Sequence, residues 1–238
     1  MLYNSSMREM ITSTVNKKIK DAYRLLKKKH RKDMGLFIIE GDHLVEEATK
    51  AGIVQEIFTS NEKKDGTLVA PHIIKKLTDS VSPQDIVAVC KIMEVKPLGK
   101  KVIALDMVQD PGNVGTIIRT ARAFGFTDVI VHGSDIYSPK SLRSSQGSLF
   151  GINVIQTKDI SEFFNGYQVI GALLDHNAKH YQKIELKDKF ILVLGNEGKG
   201  ISSGIINKLN EKVYIPINFE SLNVASAGAI LMNEYGKK

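Results

Sequence analysis

The sequence predicts an α/β protein in two parts: a small α/β unit, then a larger unit built on a mainly parallel sheet. Three observations carry this prediction. Short continuous apolar runs alternate with helical patterns along nearly all of the 238 residues. Such runs mark strands buried on both faces between covering helices. The segment Glu94-Val95-Lys96-Pro97-Leu98-Gly99-Lys100 holds Pro, Gly and charge between two apolar strands, as a linker does. Composition, 42% hydrophobic and 25% charged, suits a globular chain large enough to bury a core. The expected domains are residues 1–94 and 101–238, joined by a linker at 95–100.

Taken in order, the first helix is expected over Thr14–His30. Val15, Ile19, Ala22, Tyr23 and Leu26 supply its helical spacing, and lysines fill the other face. A strand at Leu36–Ile39 follows. Glu40-Gly41-Asp42-His43 then turns into a helix ending near Lys50, with Gly52 as its stop. Val54–Thr59 and Ile86–Ile92 read as strands, with a short helix at Ile73–Leu77. The second unit has expected strands at Val102–Met107, Asp128–Val131, Asn153–Gln156, Gln168–Leu173, Phe190–Leu194 and Val213–Ile215. Its expected helices are Val114–Phe124, Ser138–Phe150, Ile160–Phe164, Ser202–Leu209 and Leu222–Tyr235. Asn113 is a candidate N-cap, and Gly125 closes that helix. The last helix is expected to start at Ser221 or Leu222 and carries Ala225-Ser226-Ala227-Gly228-Ala229. Gly228 costs roughly 1 kcal/mol against Ala, and small side chains let another backbone or a ligand come close.

Several function classes are excluded. No apolar run approaches the roughly 20 residues that span a bilayer. The start, Met1 to Met10, lacks the apolar core of a signal peptide, so the cytoplasm is the expected compartment. The single Cys90 has no internal disulfide partner, and its apolar neighbours suggest an inert core thiol. Cys90 and the histidines show no metal-ligand spacing, so no metal is expected. Gly195 to Ile201 breaks the phosphate-loop spacing, and no Gly-x-Gly-x-x-Gly follows a strand. A generic dinucleotide fold therefore lacks its fingerprint. Charge is uneven. Residues 1–32 hold ten Lys and Arg against two acids, a net of +8, which leaves the rest of the +7 chain at −1. Such a block suits phosphates; the competing reading is a solvated helix face.

Three segments carry chemistry. Asp110-Pro111-Gly112-Asn113 follows a strand and opens a helix bearing Arg119, one turn beyond Gly115. A missing side chain there leaves room for a substrate to reach the guanidinium, although an exposed helix Arg is the ordinary reading. In Leu194-Gly195-Asn196-Glu197-Gly198-Lys199-Gly200, glycines crowd a strand end and admit a ligand. Glu197 is either functional there or a cap for the next helix. Finally, Val213–Ile215 stops at Pro216, and a polar turn leads to Ser221-Leu222-Asn223-Val224.

In this order the three segments resemble the motifs of the SpoU (TrmH-like) RNA 2′-O-ribose methyltransferases, members of the SPOUT superfamily. Arg143-Ser144-Ser145-Gln146-Gly147-Ser148-Leu149-Phe150 is similar to that family's stretch between the first two motifs. Phe37 to Ala48, with Ser82 to Val89, resembles the small substrate-binding domain that many members carry in front. One departure stands out. Only Ile217-Asn218-Phe219 separate Pro216 from Glu220, a shorter link than the family usually has, and one without glycine.

The resemblance implies a C-terminal parallel-sheet SPOUT methyltransferase domain with a deep trefoil knot, preceded by an α/β RNA substrate-binding domain. It implies S-adenosylmethionine as cofactor, held by Gly195, Ile215, Leu222 and Asn223. Asn113, Arg119, Glu197, Ser221 and Asn223 are the residues implied at the reaction centre. Arg119 matches the proposed base or hydroxyl activator; a guanidinium stays protonated up to a pKa above about 12, which favours a positioning role. RNA is the implied partner, ribosomal ahead of transfer RNA. Lys27, Lys28, Lys29, Arg31 and Arg143 are the candidate RNA contacts. A C2 homodimer is implied as well. An inactive RNA-binding or assembly protein of the same fold is the alternative.

Overall fold

The computed structural model describes residues 8–175, 177–218 and 220–237. The leader reading of residues 1–7 and the position of Phe219 in the short link lie outside them. The chain divides into two units, residues 1–93 and 94–238.

The strands of the first unit are β1 (Leu36–Glu40), β2 (Val54–Thr59), β3 (Thr67–Leu68) and β4 (Ile86–Lys91). Their spatial order is β1-β4-β2-β3, with β4 antiparallel to both of its neighbours. Ile86 through Cys90 are all buried, as a strand with partners on both edges requires. Burial pushes the Cys90 thiol up to about 12, which makes it unreactive. Helices α1 (Lys17–Arg24), α2 (Lys28–Met34), α3 (Asp42–Lys50) and α4 (Pro71–Leu77) pack around this sheet. The core joins Ile19, Ala22 and Leu25 to Ile73, Ile74, Leu77 and Phe58.

The single helix expected over Thr14–His30 is two helices. Leu25 and Arg31 are both buried, yet six residues place them about 120° apart around a straight helix. A break at Leu25–Lys27 lets both turn inward. Arg31 Nη1 then donates to the Leu25 carbonyl at 2.7 Å, which the break has left without a helical partner. The inward face also differs from the expected one. Val15 is 67% exposed and Tyr23 43% exposed, whereas Leu25 is buried.

The second unit is a seven-stranded sheet among the described residues. It comprises β5 (Lys101–Asp106), β6 (Asp128–Val131), β7 (Asn153–Gln156), β8 (Gln168–Ala172), β9 (Lys179–His180), β10 (Phe190–Gly195) and β11 (Glu211–Tyr214). The order is β7-β6-β5-β10-β8-β11-β9, and every pairing is parallel. Helices α5 (Pro111–Ala123), α6 (Pro139–Ser145), α7 (Ser203–Ile206) and α8 (Val224–Gly236) accompany it. The helix expected over Ser138–Phe150 ends at Ser145. Gln146 (φ 48°) and Gly147 (φ 75°) are both left-handed, and a 3-10 turn takes over at Ser148–Gly151. The Ile160–Phe164 helix is likewise a 3-10 turn, over Ile160–Phe163. β11 stops at Tyr214 and α8 starts at Val224, so Ile215, Ser221 and Leu222 belong to the connection between them.

Two glycines set the helix spacing. A Cβ on Gly115 would stand 2.5 Å from the Ser141 carbonyl and 2.6 Å from Ser144 Cβ. Gly115 is thus filled space between α5 and α6, not room for a substrate beside Arg119. A Cβ on Gly228 would stand 2.9 Å from Leu194 Cδ1, so α8 lies tight against β10 within this chain.

Candidate active site

β5 and β10 are parallel neighbours, with Gly195 opposite Asp106, so their carboxyl ends open side by side. Ligands of parallel α/β sheets bind at that edge. Asp106 is 2% exposed and accepts a hydrogen bond from the Ser202 amide at 2.7 Å. The next residue, Met107, takes φ 57°, a left-handed conformation that non-glycine residues rarely adopt. Its carbonyl accepts from Asn196 Nδ2 at 2.8 Å. Asn196 Oδ1 accepts from the amides of Gly198 and Lys199, both at 3.0 Å, and the Asn196 backbone pairs with Gly200. One asparagine therefore clamps the 196–200 turn onto the end of β5. Gly195 is glycine because its own chain passes there: a Cβ would stand 2.3 Å from both Gly200 C and Ile201 N.

Glu197 sits on this clamped turn. Its carboxylate accepts from the amides of Gln109 and Asp110, each at 3.3 Å, and from Asn113 Nδ2 at 3.0 Å. Partial burial pushes its pKa up, but the Asn113 amide and the backbone N–H groups outweigh that, and the net shift is downward. Glu197 therefore serves the loop before α5 and does not cap α7. Asn113 Oδ1 in turn accepts from Asn223 Nδ2 at 3.0 Å. Asn223 Oδ1 accepts from the amides of Ala225 and Ser226, which makes it the N-cap of α8. A continuous chain of hydrogen bonds, Glu197–Asn113–Asn223, thus ties all three motifs together.

Several expectations need adjustment. The N-cap of α5 is Asp110, not Asn113; its side chain accepts from the Gly112 amide, with Pro111 at the first helical position. Lys140, 2.8 Å away, holds the Asp110 carboxyl below its ordinary range. Arg119 is exposed on α5 and makes no hydrogen bond or ion pair among the described residues. The structure does not bring it into the Glu197 network. Ser221 and Leu222 are exposed before α8, and Ile215 is half-buried after β11. Lys27, Lys28 and Lys29 are exposed, and Arg143 is half-buried in the last turn of α6. Arg31 fails as an RNA contact: it is 4% exposed and braces the α1–α2 break. Sequence reasoning missed Asp106, Met107, Asn196 and Lys140. Only Asn196 carried a signal, a turn-forming side chain beside Glu197. No cluster of three or more His, Cys, Asp or Glu suited to a metal occurs among the described residues.

The model of the SpoU rRNA Methylase family matches residues 100–233, more than half of the chain and all three motifs. The chain belongs to the SpoU rRNA methylase family. A second model, the MRM3-like substrate binding domain, matches residues 16–88 of this SpoU protein. It is 39% identical to the 23S rRNA (guanosine(2553)-2'-O)-methyltransferase RlmP of Bacillus subtilis (strain 168), over 94% of this chain and 98% of RlmP. Among solved structures it is similar to an AdoMet-bound rRNA methyltransferase from Sinorhizobium meliloti. That match has a TM-score of 0.84 and 28% identity, over 96% of this chain and 97% of the other. The SpoU methyltransferase AviRb from Streptomyces viridochromogenes, in complex with AdoMet, matches with a TM-score of 0.82 and 25% identity, over 93% and 97%. The α/β fold class and the SpoU resemblance read from the sequence both stand.

Proposed function

We propose that this protein transfers a methyl group from S-adenosylmethionine to a ribose 2′-hydroxyl of ribosomal RNA. The observation that carries the proposal is the Glu197–Asn113–Asn223 hydrogen-bond chain, which joins the family's three motifs at one sheet edge. Identity to RlmP across nearly the full length of both chains points to 23S rRNA as the substrate class.

The donor set fits the cofactor. Gly195, at the carboxyl end of β10, and the backbone of Ile215, Leu222 and Asn223, in the β11–α8 connection, are its proposed holders. S-adenosylmethionine supplies an electrophilic methyl group on a sulfonium. Asn113, Glu197, Ser221 and Asn223 line the proposed reaction centre, with Glu197 held ionised. Arg119, a permanent cation with no partner among the described residues, orients the 2′-hydroxyl and the adjoining phosphate. The hydroxyl gives up its proton to solvent, by way of the adjoining phosphate, as it attacks, because a neutral alcohol is a poor nucleophile. Residues 1–94 serve as the RNA-binding domain through Lys27, Lys28 and Lys29, and residues 101–238 as the catalytic domain, where Arg143 adds an RNA contact. The trefoil knot, a C2 homodimer and a cytoplasmic site belong to the same proposal; no helix of the described residues is long and apolar enough to cross a membrane.

The test is methyl transfer from labelled cofactor to ribosomal RNA, followed by mapping of protected 2′-O positions. Arg119→Ala is expected to lower kcat by roughly a hundredfold, with cofactor affinity unchanged, since it removes one positioning cation. Near-normal transfer by the variant would remove Arg119 from the chemistry. A protein that binds RNA but takes up no S-adenosylmethionine in calorimetry would instead be the inactive assembly protein.

A further inference from the structure

Helical spacing places Tyr23 on the apolar face of the first helix, yet the structure turns it outward. Its neighbours Ile19, Ala22 and Leu25 are at most 3% exposed, and Tyr23 is 43% exposed. The ring is not left bare. The core cluster that joins α1 to α4 through Ile19, Ala22, Ile73 and Leu77 also brings Lys76 across, and its Nζ stands over the Tyr23 ring at 5.2 Å from the centroid. Lys20 lies one helical turn before Tyr23. Lys27 lies at the far end of the α1–α2 break, with extended backbone. Lys20 and Lys27 are exposed, and neither they nor Lys76 form an ion pair among the described residues. An exposed ring with one cation over it and a second one helical turn away, neither with a carboxylate partner, is poorly explained by stability alone. Burying the ring would contribute more than holding it half in water.

We propose that Tyr23, with Lys20 and Lys76, forms a stacking site for one unpaired RNA nucleotide. The base lies on the phenol ring and the flanking phosphates meet the ammonium groups. An aromatic face takes a nucleobase without regard to its identity, while lysines take the backbone. A base inside an A-form helix cannot reach such a ring, so the nucleotide comes from a loop, bulge or end. The site lies within the stretch that matches the substrate-binding domain model. The inference rests on the RNA reading above and adds where, and in what form, the RNA is gripped.

The chain contains no Trp, so Tyr23→Trp places a single reporter at the site. In the 238-residue chain its emission is expected to fall as a single-stranded RNA oligonucleotide saturates the protein, and to stay constant with inorganic polyphosphate. Tyr23→Ala is expected to weaken binding of the oligonucleotide about 5- to 100-fold, as loss of one base–aromatic stack does, and Tyr23→Phe to leave it unchanged. The Tyr23→Ala loss should keep the slope of log affinity against log salt, because no phosphate contact is removed. Unquenched emission while filter retention shows RNA bound would overturn the proposal, as would Tyr23→Ala binding at wild-type affinity. Quenching by a second protein in place of RNA would also overturn it. The triple Lys27, Lys28, Lys29→Gln variant separates the two ideas. If it loses RNA while the indole of the Tyr23→Trp variant stays silent, the RNA reading stands and the stacking site falls. If the wild-type protein retains no RNA at all, the RNA reading falls first.

Discussion

Asn196 spends its whole side chain on backbone. Its Nδ2 serves the Met107 carbonyl, and its Oδ1 serves the amides of Gly198 and Lys199. That arrangement holds the Glu197 carboxylate against the loop before α5, and it spans the left-handed Met107. Asn196→Ala is therefore expected to free the turn while leaving Glu197 itself intact. Three partly exposed hydrogen bonds at roughly 1 kcal/mol each predict a loss of about 1–3 kcal/mol and a fall in Tm of several degrees. Methyl transfer should drop at least tenfold, because a loosened carboxylate no longer fixes Asn113. Thermal unfolding and kcat measured on the same preparation check this, and an unchanged kcat would show that the turn holds itself. Glu197, Asn113 and Asn223 were legible in the sequence because each sits in a motif with a fixed chain position. Asn196 was not: its importance lies in reaching Met107, 89 residues away.

Elements that fill their own hydrophobic period were legible; those defined by their neighbours were not. β2, β6 and β7 fall on their expected residues because each carries β-branched or aromatic residues over its length and has partners on one or both edges. β3 and β9 are two-residue strands without a period to read, and they exist only through β2 and β11. The division of the first helix depends on burying both Leu25 and Arg31, a demand visible only once the core is assembled. The α5–α6 contact shows the same dependence. Gly→Ala in a helix ordinarily stabilises by up to about 1 kcal/mol. Gly115→Ala should do the reverse, because its methyl would meet the backbone of α6 at Ser141 and Ser145, which cannot move aside as a side chain can. A loss of about 1–3 kcal/mol is expected from such overpacking. Gly204 in α7 has nothing within 4 Å of its Cβ position, so Gly204→Ala should hold or raise Tm. Opposite shifts in the two melting curves are the expected result; equal shifts would refute close α5–α6 packing.

At the scale of the molecule, the distribution of charge supports the proposal. The +8 of residues 1–32 lies in the stretch that leads into and enters the substrate-binding match, while the remaining chain is close to neutral. Counterion release from such a block makes RNA binding salt-dependent without specifying a base. The small residues of α8 divide by face. Ala225 and Gly228 are buried within the chain, while Ser226 and Ile230 are exposed. A self-complementary contact between two copies is the simplest use of an outward face that carries Ile230 at 37% exposure. Sedimentation equilibrium is expected to return twice the 26.4 kDa chain mass, and Ile230→Lys is expected to shift that toward one chain. A wild-type protein that sediments as one chain and is fully active would contradict the dimer.

The sequence by itself determined the α/β class, the domain order, the family and the three motif segments, because hydrophobic period and short-range motif spacing are local properties. Only the tertiary structure decided that Glu197, Asn113 and Asn223 share one hydrogen-bond chain, that Asn196 clamps it, that Arg31 faces inward and that Tyr23 faces out. The hydrogen-bond chain and its clamp depend on which distant backbone arrives beside a side chain, and the facing of Arg31 and Tyr23 on how the α1–α2 break packs into the core. Packing of the whole core sets that arrival, and no window of sequence contains it.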